Sequence, residues 1–278
     1  MSYSFINETM ENVRKKHPLV HNITNYVTVN DCANILLAAN ASPIMSDDIA
    51  EVAEITSICN ALVINIGTLC ERTIASMVEA GKKSFEIGNP IVLDPVGAGA
   101  SKLRTETAKQ LLASFNSSVI RGNISELKAL FTGSSGTKGV DANALETITE
   151  DNLDEGIKMA KEMSKKFDAI IAITGAIDIV TDGEVAYVIR NGHEKMRQIT
   201  GTGCMLTSLI GAFVAANQKQ MLESVVSAVC LMGLSGEKAW ESCVKDALGT
   251  GSMKSRLIDF IGTLTADDCI KGFKGERV

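Results

Sequence analysis

The segment Ile199-Thr-Gly-Thr-Gly-Cys204 runs directly into the apolar stretch Met205-Leu-Thr-Ser-Leu-Ile. A glycine-rich turn that opens a helix leaves backbone N–H groups unpaired at the helix start, and the helix dipole adds partial positive charge there. Small residues allow an anionic oxygen to sit against those amides. The same field favours the thiolate of a cysteine in the first turn, so Cys204 brings a base- or nucleophile-type group to an anion site. A tight turn before a buried helix would look the same, and a lone G-T-G is weak evidence. The cysteine at the helix start strengthens it.

A second cluster is Arg121-Gly-Asn123-Ile-Ser-Glu126. Asn123 can cap the helix that follows, and Glu126 stands three positions later, the spacing of a capping box. The two residues also share a helical face and could present oxygens to a hydrated Mg²⁺, which keeps several waters and needs few protein carboxylates. Asp94 closes a neighbouring apolar run and would supply another acidic group. Capping and metal binding are evenly balanced on these residues alone.

These groups need elements to position them. Short apolar runs end in a polar residue beside a glycine at Ala61–Asn65, Pro90–Asp94, Ser118–Arg121 and Ala169–Thr174. Helical patterns follow at about 70–87, 102–115 and from 123, and Leu153–Lys166 precedes the last run. Continuous apolar strands joined by helices are what a buried parallel sheet requires. Asp182-Gly183 lies between the strand patterns 176–180 and 184–190 and predicts a hairpin, so antiparallel strands should join the sheet late. After Gly192 the pattern predicts helices: Gly203–Asn217, Met221–Cys243 and Ser252–Thr263. No linker or repeat interrupts residues 1–278, and a single α/β domain is expected. Ligands bind at the carboxyl ends of strands in such sheets, which makes Asn65, Asp94, Arg121 and Thr174 the first candidates.

Composition narrows the function. The chain has 278 residues, 27 basic and 33 acidic, and a net charge of −6. That balance lacks the basic footprint of a nucleic-acid partner. Seven cysteines without a C-x-x-C pair read as reduced thiols of a cytoplasmic protein; six of them, Cys204 excepted, are expected as small buried hydrophobes. The first 16 residues are polar and helical in pattern, unlike a signal peptide. No apolar run approaches the ~20 residues of a membrane span. Three scattered histidines form no metal motif. The nucleotide signatures are also missing: Gly133–Lys138 lacks the glycine before lysine of a P-loop, and Gly97-Ala-Gly99 and Gly201-Thr-Gly203 both stop at two glycines.

Together these segments resemble the hydroxyethylthiazole kinase family, of ribokinase-like type. The resemblance runs through Pro18-Leu-Val-His-Asn-Ile-Thr-Asn25-Tyr-Val-Thr, Ala41-Ser-Pro-Ile-Met45, Ile64-Asn-Ile-Gly-Thr68 and Leu93-Asp-Pro-Val-Gly-Ala-Gly-Ala-Ser101. It continues through Ile120–Glu126, Ala172–Ala176, Ile199–Cys204 and Gly249-Thr-Gly-Ser252. It implies a three-layer αβα fold with a mostly parallel sheet and ATP-dependent phosphorylation of 4-methyl-5-(2-hydroxyethyl)thiazole with Mg²⁺. It also implies a homotrimer with active sites between subunits. Residue by residue, it implies thiazole contact by Met45, substrate binding by Gly201, and a substrate-side surface of Asn25, Val27, Gly67 and Thr68. Arg121 and Thr174 match ATP-binding positions, Asp94 and Glu126 the acidic residues that serve Mg²⁺ and phosphates. Cys204 stands where ribokinase-like relatives carry an aspartate base. Asn40 departs from the family, which commonly has glycine there. The competing readings are a kinase of the same fold for another small alcohol (hydroxymethylpyrimidine or a sugar), a non-catalytic ATP sensor, and a cysteine-nucleophile enzyme.

Overall fold

The apolar runs form strands and the periodic stretches between them form helices. The computed structural model describes residues 3–132 and 146–278, so the Gly133–Lys138 segment lies outside the described residues. The strands are β1 (Leu19–Ile23), β2 (Ser42–Ile44), β3 (Ala61–Asn65), β4 (Ile91–Asp94), β5 (Val119–Gly122), β6 (Ile170–Ile173), β7 (Asp178–Thr181), β8 (Ala186–Ile189) and β9 (Gly275–Arg277). The helices are α1 (Phe5–Lys16), α2 (Val29–Ala38), α3 (Val52–Ile58), α4 (Glu71–Glu86), α5 (Lys102–Ser114), α6 (Ile124–Thr132), α7 (Leu153–Phe167), α8 (Thr202–Ala216), α9 (Met221–Lys245), α10 (Thr250–Thr263) and α11 (Ala266–Gly272).

One sheet runs in the order β2-β1-β3-β4-β5-β6-β7-β8-β9. Strands β2 to β6 are parallel to their neighbours, which puts their carboxyl ends along one edge. Strands β7, β8 and β9 continue antiparallel, beginning with the expected hairpin at Asp182-Gly183. Alternation along the strands assigns the two faces. Val20, Val63, Val92 and Val119 pack against α1, α2, α8 and α9. On the other face Leu62, Ile64, Ile91 and Leu93 meet α4 and α5, while Ile120, Ile171 and Ile173 meet α6 and α7. The result is three layers, helix–sheet–helix.

The structure adds elements that the sequence pattern left unread. Strand β1 carries the buried polar residues His21 and Asn22, which interrupt its apolar run. Strand β2 is three residues with a proline at its centre, half-buried at the sheet edge, where proline is tolerated. Beyond Gly192 the expectation of helices alone is corrected by β9, a short polar strand pairing with β8. Asn40 takes a left-handed backbone at φ 64, the conformation that glycine and asparagine adopt most readily. Asparagine is thus compatible with a position where the resemblance expects glycine. Five of the six cysteines expected in the interior are buried, but Cys70 is exposed at the start of α4.

Candidate active site

The carboxyl ends of β3 to β6 supply the polar floor. Asn65 and Asp94 are direct partners across β3 and β4. Asp94 is fully buried; its Oδ2 accepts from Asn65 Nδ2 at 2.9 Å and from Thr207 Oγ at 2.7 Å. Arg121 Nη1 lies 3.6 Å from the same oxygen, while Asp94 Oδ1 is buried without a hydrogen-bond partner. Burial pushes the Asp94 carboxyl up in pKa, Arg121, Thr207 and Asn65 pull it back, and nearby Glu126 adds to the rise.

Arg121 spans from this carboxylate to β6. Its Nη2 donates to Thr174 Oγ at 2.5 Å, and Thr174 is the residue after that strand. The guanidinium also lies against Gly203 so closely that a Cβ there would collide with Nη1. Its Nε is buried without a partner. A planar cation with donors to spare, held beside a helix start, is suited to phosphate oxygens.

That helix start is the expected one. Gly201 is the cap of α8 at φ +87, and a Cβ there would run into Thr28 Cγ2. Both the backbone conformation and the close approach require glycine. The first helical bond runs from Met205 N–H to the Gly201 carbonyl at 2.8 Å, so the amides of Thr202, Gly203 and Cys204 precede the hydrogen-bonded run. Cys204 is half-buried, and its Sγ accepts from Asn25 Nδ2 at 3.2 Å. Asn25 also donates to Asn65 Oδ1 at 3.0 Å and accepts from Thr28 Oγ at 3.1 Å. A continuous polar chain therefore connects Cys204 through Asn25 and Asn65 to Asp94.

Of the remaining expected residues, Gly67 is tied to Asn65 and Thr68 to the Asn25 loop. Gly67 N–H donates to Asn65 Oδ1 at 2.9 Å, and a Cβ at Gly67 would stand 3.0 Å from Asn25. Tyr26 N–H donates to Thr68 Oγ at 3.3 Å, which ties the Asn25 loop to the loop after β3. Val27 is exposed beside that loop. Met45 is half-buried just beyond β2, at the same carboxyl edge of the sheet. The adjacent Ser46 carbonyl accepts from buried His21 Nε2 at 2.9 Å.

Glu126 and Asn123 form the capping box. Glu126 Oε2 accepts from Asn123 N–H and Asn123 Oδ1 from Glu126 N–H, both at 2.9 Å. Glu126 Oε1 additionally accepts from Gly97 N–H at 2.8 Å. Each oxygen therefore holds one backbone donor and retains a lone pair. With the orphaned Asp94 Oδ1, the donors are hard carboxylate oxygens facing an arginine, a set that fits a hydrated Mg²⁺. Among the described residues no group of three or more His, Cys, Asp or Glu is placed to hold a metal ion, so Mg²⁺ here would take most of its ligands from water and phosphate.

A cavity of about 500 Å³ opens from Arg121, Thr174 and Gly203. Its wall is apolar at Leu206, Val229 and Met232 and polar at Asp178, Asn191 and His193. Sequence reasoning missed these polar residues, as it missed Thr207. Thr207 had a usable signal: a polar residue in an apolar helix, four positions from Gly203 and so on the same face. A second cavity of about 420 Å³, lined by Asn116, Ser117 and Asp168, lies at the opposite edge of the sheet, before β5 and β6. It is away from every strand end that carries the site.

The profile of the hydroxyethylthiazole kinase family matches residues 10–267. The chain belongs to the hydroxyethylthiazole kinase family. The hydroxyethylthiazole kinase of Clostridium acetobutylicum is 54% identical over 262 residues, covering 94% of this chain and 96% of the relative. That of Ruminiclostridium cellulolyticum is 48% identical over 269 residues, covering 97% and 95%. Among solved structures, the hydroxyethylthiazole kinase protein of Pyrococcus horikoshii superposes with a TM-score of 0.88 at 37% identity, covering 99% of both chains. A ribokinase-like superfamily protein of Enterococcus faecalis, at 13% identity and a TM-score of 0.61, shares the fold. No helix among the described residues of this family member is long and apolar enough to cross a membrane.

Proposed function

We infer that the protein transfers the γ-phosphoryl group of ATP to the hydroxyl of 4-methyl-5-(2-hydroxyethyl)thiazole, a step of thiamine salvage. The observation that carries this reading is the placement of Arg121, which touches Thr174, faces Asp94 and lies over the α8 start beside Cys204. Phosphoryl transfer asks a protein chiefly for alignment and charge neutralisation. Arg121 and Thr174 hold phosphate oxygens of ATP, and the amides of Thr202 to Cys204 face the transferring group as an anion hole. Asp94 and Glu126 would hold Mg²⁺, which supplies charge neutralisation at the phosphates.

Cys204 receives or positions the substrate hydroxyl proton. The Asn25 amide donated to Sγ favours a sulfur that acts as acceptor. Gly201, Gly67, Thr68 and Val27 would offer the substrate-side surface beside that sulfur, and a soft thioether at Met45 suits an apolar heteroaromatic ring. Tyr26 and Val27, exposed by 79% and 54%, leave apolar surface at the mouth of the site. That exposure supports a homotrimer in which a neighbouring subunit covers each site; a particle of about 89 kDa by light scattering, from chains of 29.6 kDa, is the expected result. Seven unpaired cysteines suit a reducing, cytoplasmic compartment, and the continuous sheet from β1 to β9 supports a single domain.

The experiment is mass-spectrometric detection of phosphorylated thiazole alcohol, compared with hydroxymethylpyrimidine and sugars as acceptors. ATP binding without phosphorylated product would instead support a sensor.

A further inference from the structure

We propose that Asp178 recognises the ribose hydroxyls of the nucleotide, and so makes the enzyme discriminate ATP from deoxyribonucleoside triphosphates. This rests on the nucleotide-binding reading of the cavity above. Asp178 opens β7 and lines that cavity with Arg121 and Thr174. Its Oδ1 accepts from Gly175 N–H at 2.9 Å, which fixes the carboxyl across the short turn between β6 and β7. The other oxygen makes no hydrogen bond among the described residues.

The cavity's chemistry is ordered. Arg121, Thr174 and Gly203 mark the phosphate end, while Leu206, Val229 and Met232 offer an apolar wall for a planar base. Asp178 lies on the phosphate side, near enough for the Arg121 charge to lower its pKa. Burial nonetheless dominates and pushes that carboxyl up to about 7. In its ionised form the carboxyl accepts and does not donate. Beside the phosphates of ATP, the groups able to donate to it are the ribose hydroxyls; the amino group of the base lies a full sugar farther on.

The test compares ATP with 2′-deoxy-ATP and 3′-deoxy-ATP as substrates for the wild type and Asp178→Asn, in parallel with direct binding of ADP and its two deoxy analogues. Asparagine keeps an acceptor for Gly175 N–H while turning an amide donor toward the cavity, so the fold is retained. The wild type should prefer the ribonucleotide over at least one deoxy analogue by about ten- to a hundredfold, as expected for a hydrogen bond to a charged group. Asp178→Asn should reduce that ratio to near unity, with ATP binding weakened and the deoxy analogue little changed. An unchanged ratio in the variant would overturn the proposal, as would a change in Mg²⁺ requirement without a change in ribose preference. If ADP binding shows the ribose preference but no phosphorylated alcohol forms, the kinase reading alone fails.

Discussion

Asn25 Nδ2 lies 3.2 Å from Cys204 Sγ and donates to it, while also donating to Asn65 Oδ1 at 3.0 Å. A loop after β1 is thus the partner of a sulfur at the start of α8, some 180 residues later in the chain. The sulfur is consequently oriented rather than merely packed. Cys204→Ala should lower kcat by about 10²-fold, the usual scale for a positioned acid–base group. Cys204→Asp should stay active, and Cys204→Ala should retain residual activity because the helix-start amides remain. Asn25→Ala should lower kcat in the wild type but add little to Cys204→Ala, since the two act as a unit. Steady-state kinetics with thermal melts checks this; wild-type kcat in Cys204→Ala with an unchanged melt would leave Cys204 as packing.

Glu126 has two duties that a substitution can separate. Its oxygens cap α6 and hold Gly97 N–H, and the proposed function adds Mg²⁺. Glu126→Gln loses one of the two backbone acceptors, a cost of about 1 kcal/mol, so the protein should fold with a Tm lower by a few degrees. Turnover should fall by about tenfold or more, with a higher Mg²⁺ concentration for half-maximal rate. A Mg²⁺ titration that superposes on the wild type would confine Glu126 to capping.

Asp178 should make stability depend on pH. Burial raises its carboxyl from an ordinary 3.8 to about 7, so the folded state holds the proton more tightly than the unfolded chain. Its contribution to stability therefore declines as pH rises from about 4 to about 7 and stays low above that. Asp178→Asn keeps the Gly175 contact without the charge. Its Tm should exceed that of the wild type at pH 8 by on the order of a few degrees, and the gap should close toward pH 4. Melts across that range that show a constant difference would contradict the pKa.

How much of this could be read in advance depended on whether a residue's partners were close in sequence. The runs ending at Asn65, Asp94, Arg121 and Thr174 are uninterrupted apolar segments closed by a polar residue, and each became a strand with that residue at or beside its carboxyl end. The Asp182-Gly183 hairpin followed from turn chemistry alone. Strand β1 was hidden because His21 and Asn22 are buried polar groups satisfied by distant partners: Ser46 and Thr56 for the first, Ser208 for the second. Strand β9 exists only through pairing with β8. The capping box was visible as a spacing. By contrast, the Asn25–Cys204 contact is tertiary and local periodicity carries no trace of it; helical spacing puts Thr207 on the face of Gly203 but does not reveal its partner Asp94.

Phosphoryl transfer from ATP to the thiazole alcohol is tested most directly by product formation by the purified protein with ATP and Mg²⁺ across a panel of alcohols. A monophosphate of 4-methyl-5-(2-hydroxyethyl)thiazole should form stoichiometrically with ADP, saturate at lower substrate concentration than hydroxymethylpyrimidine or any sugar, and be abolished by excess chelator. Folded protein that binds ATP but yields no phosphorylated thiazole, or that phosphorylates another alcohol with higher kcat/KM, would contradict it.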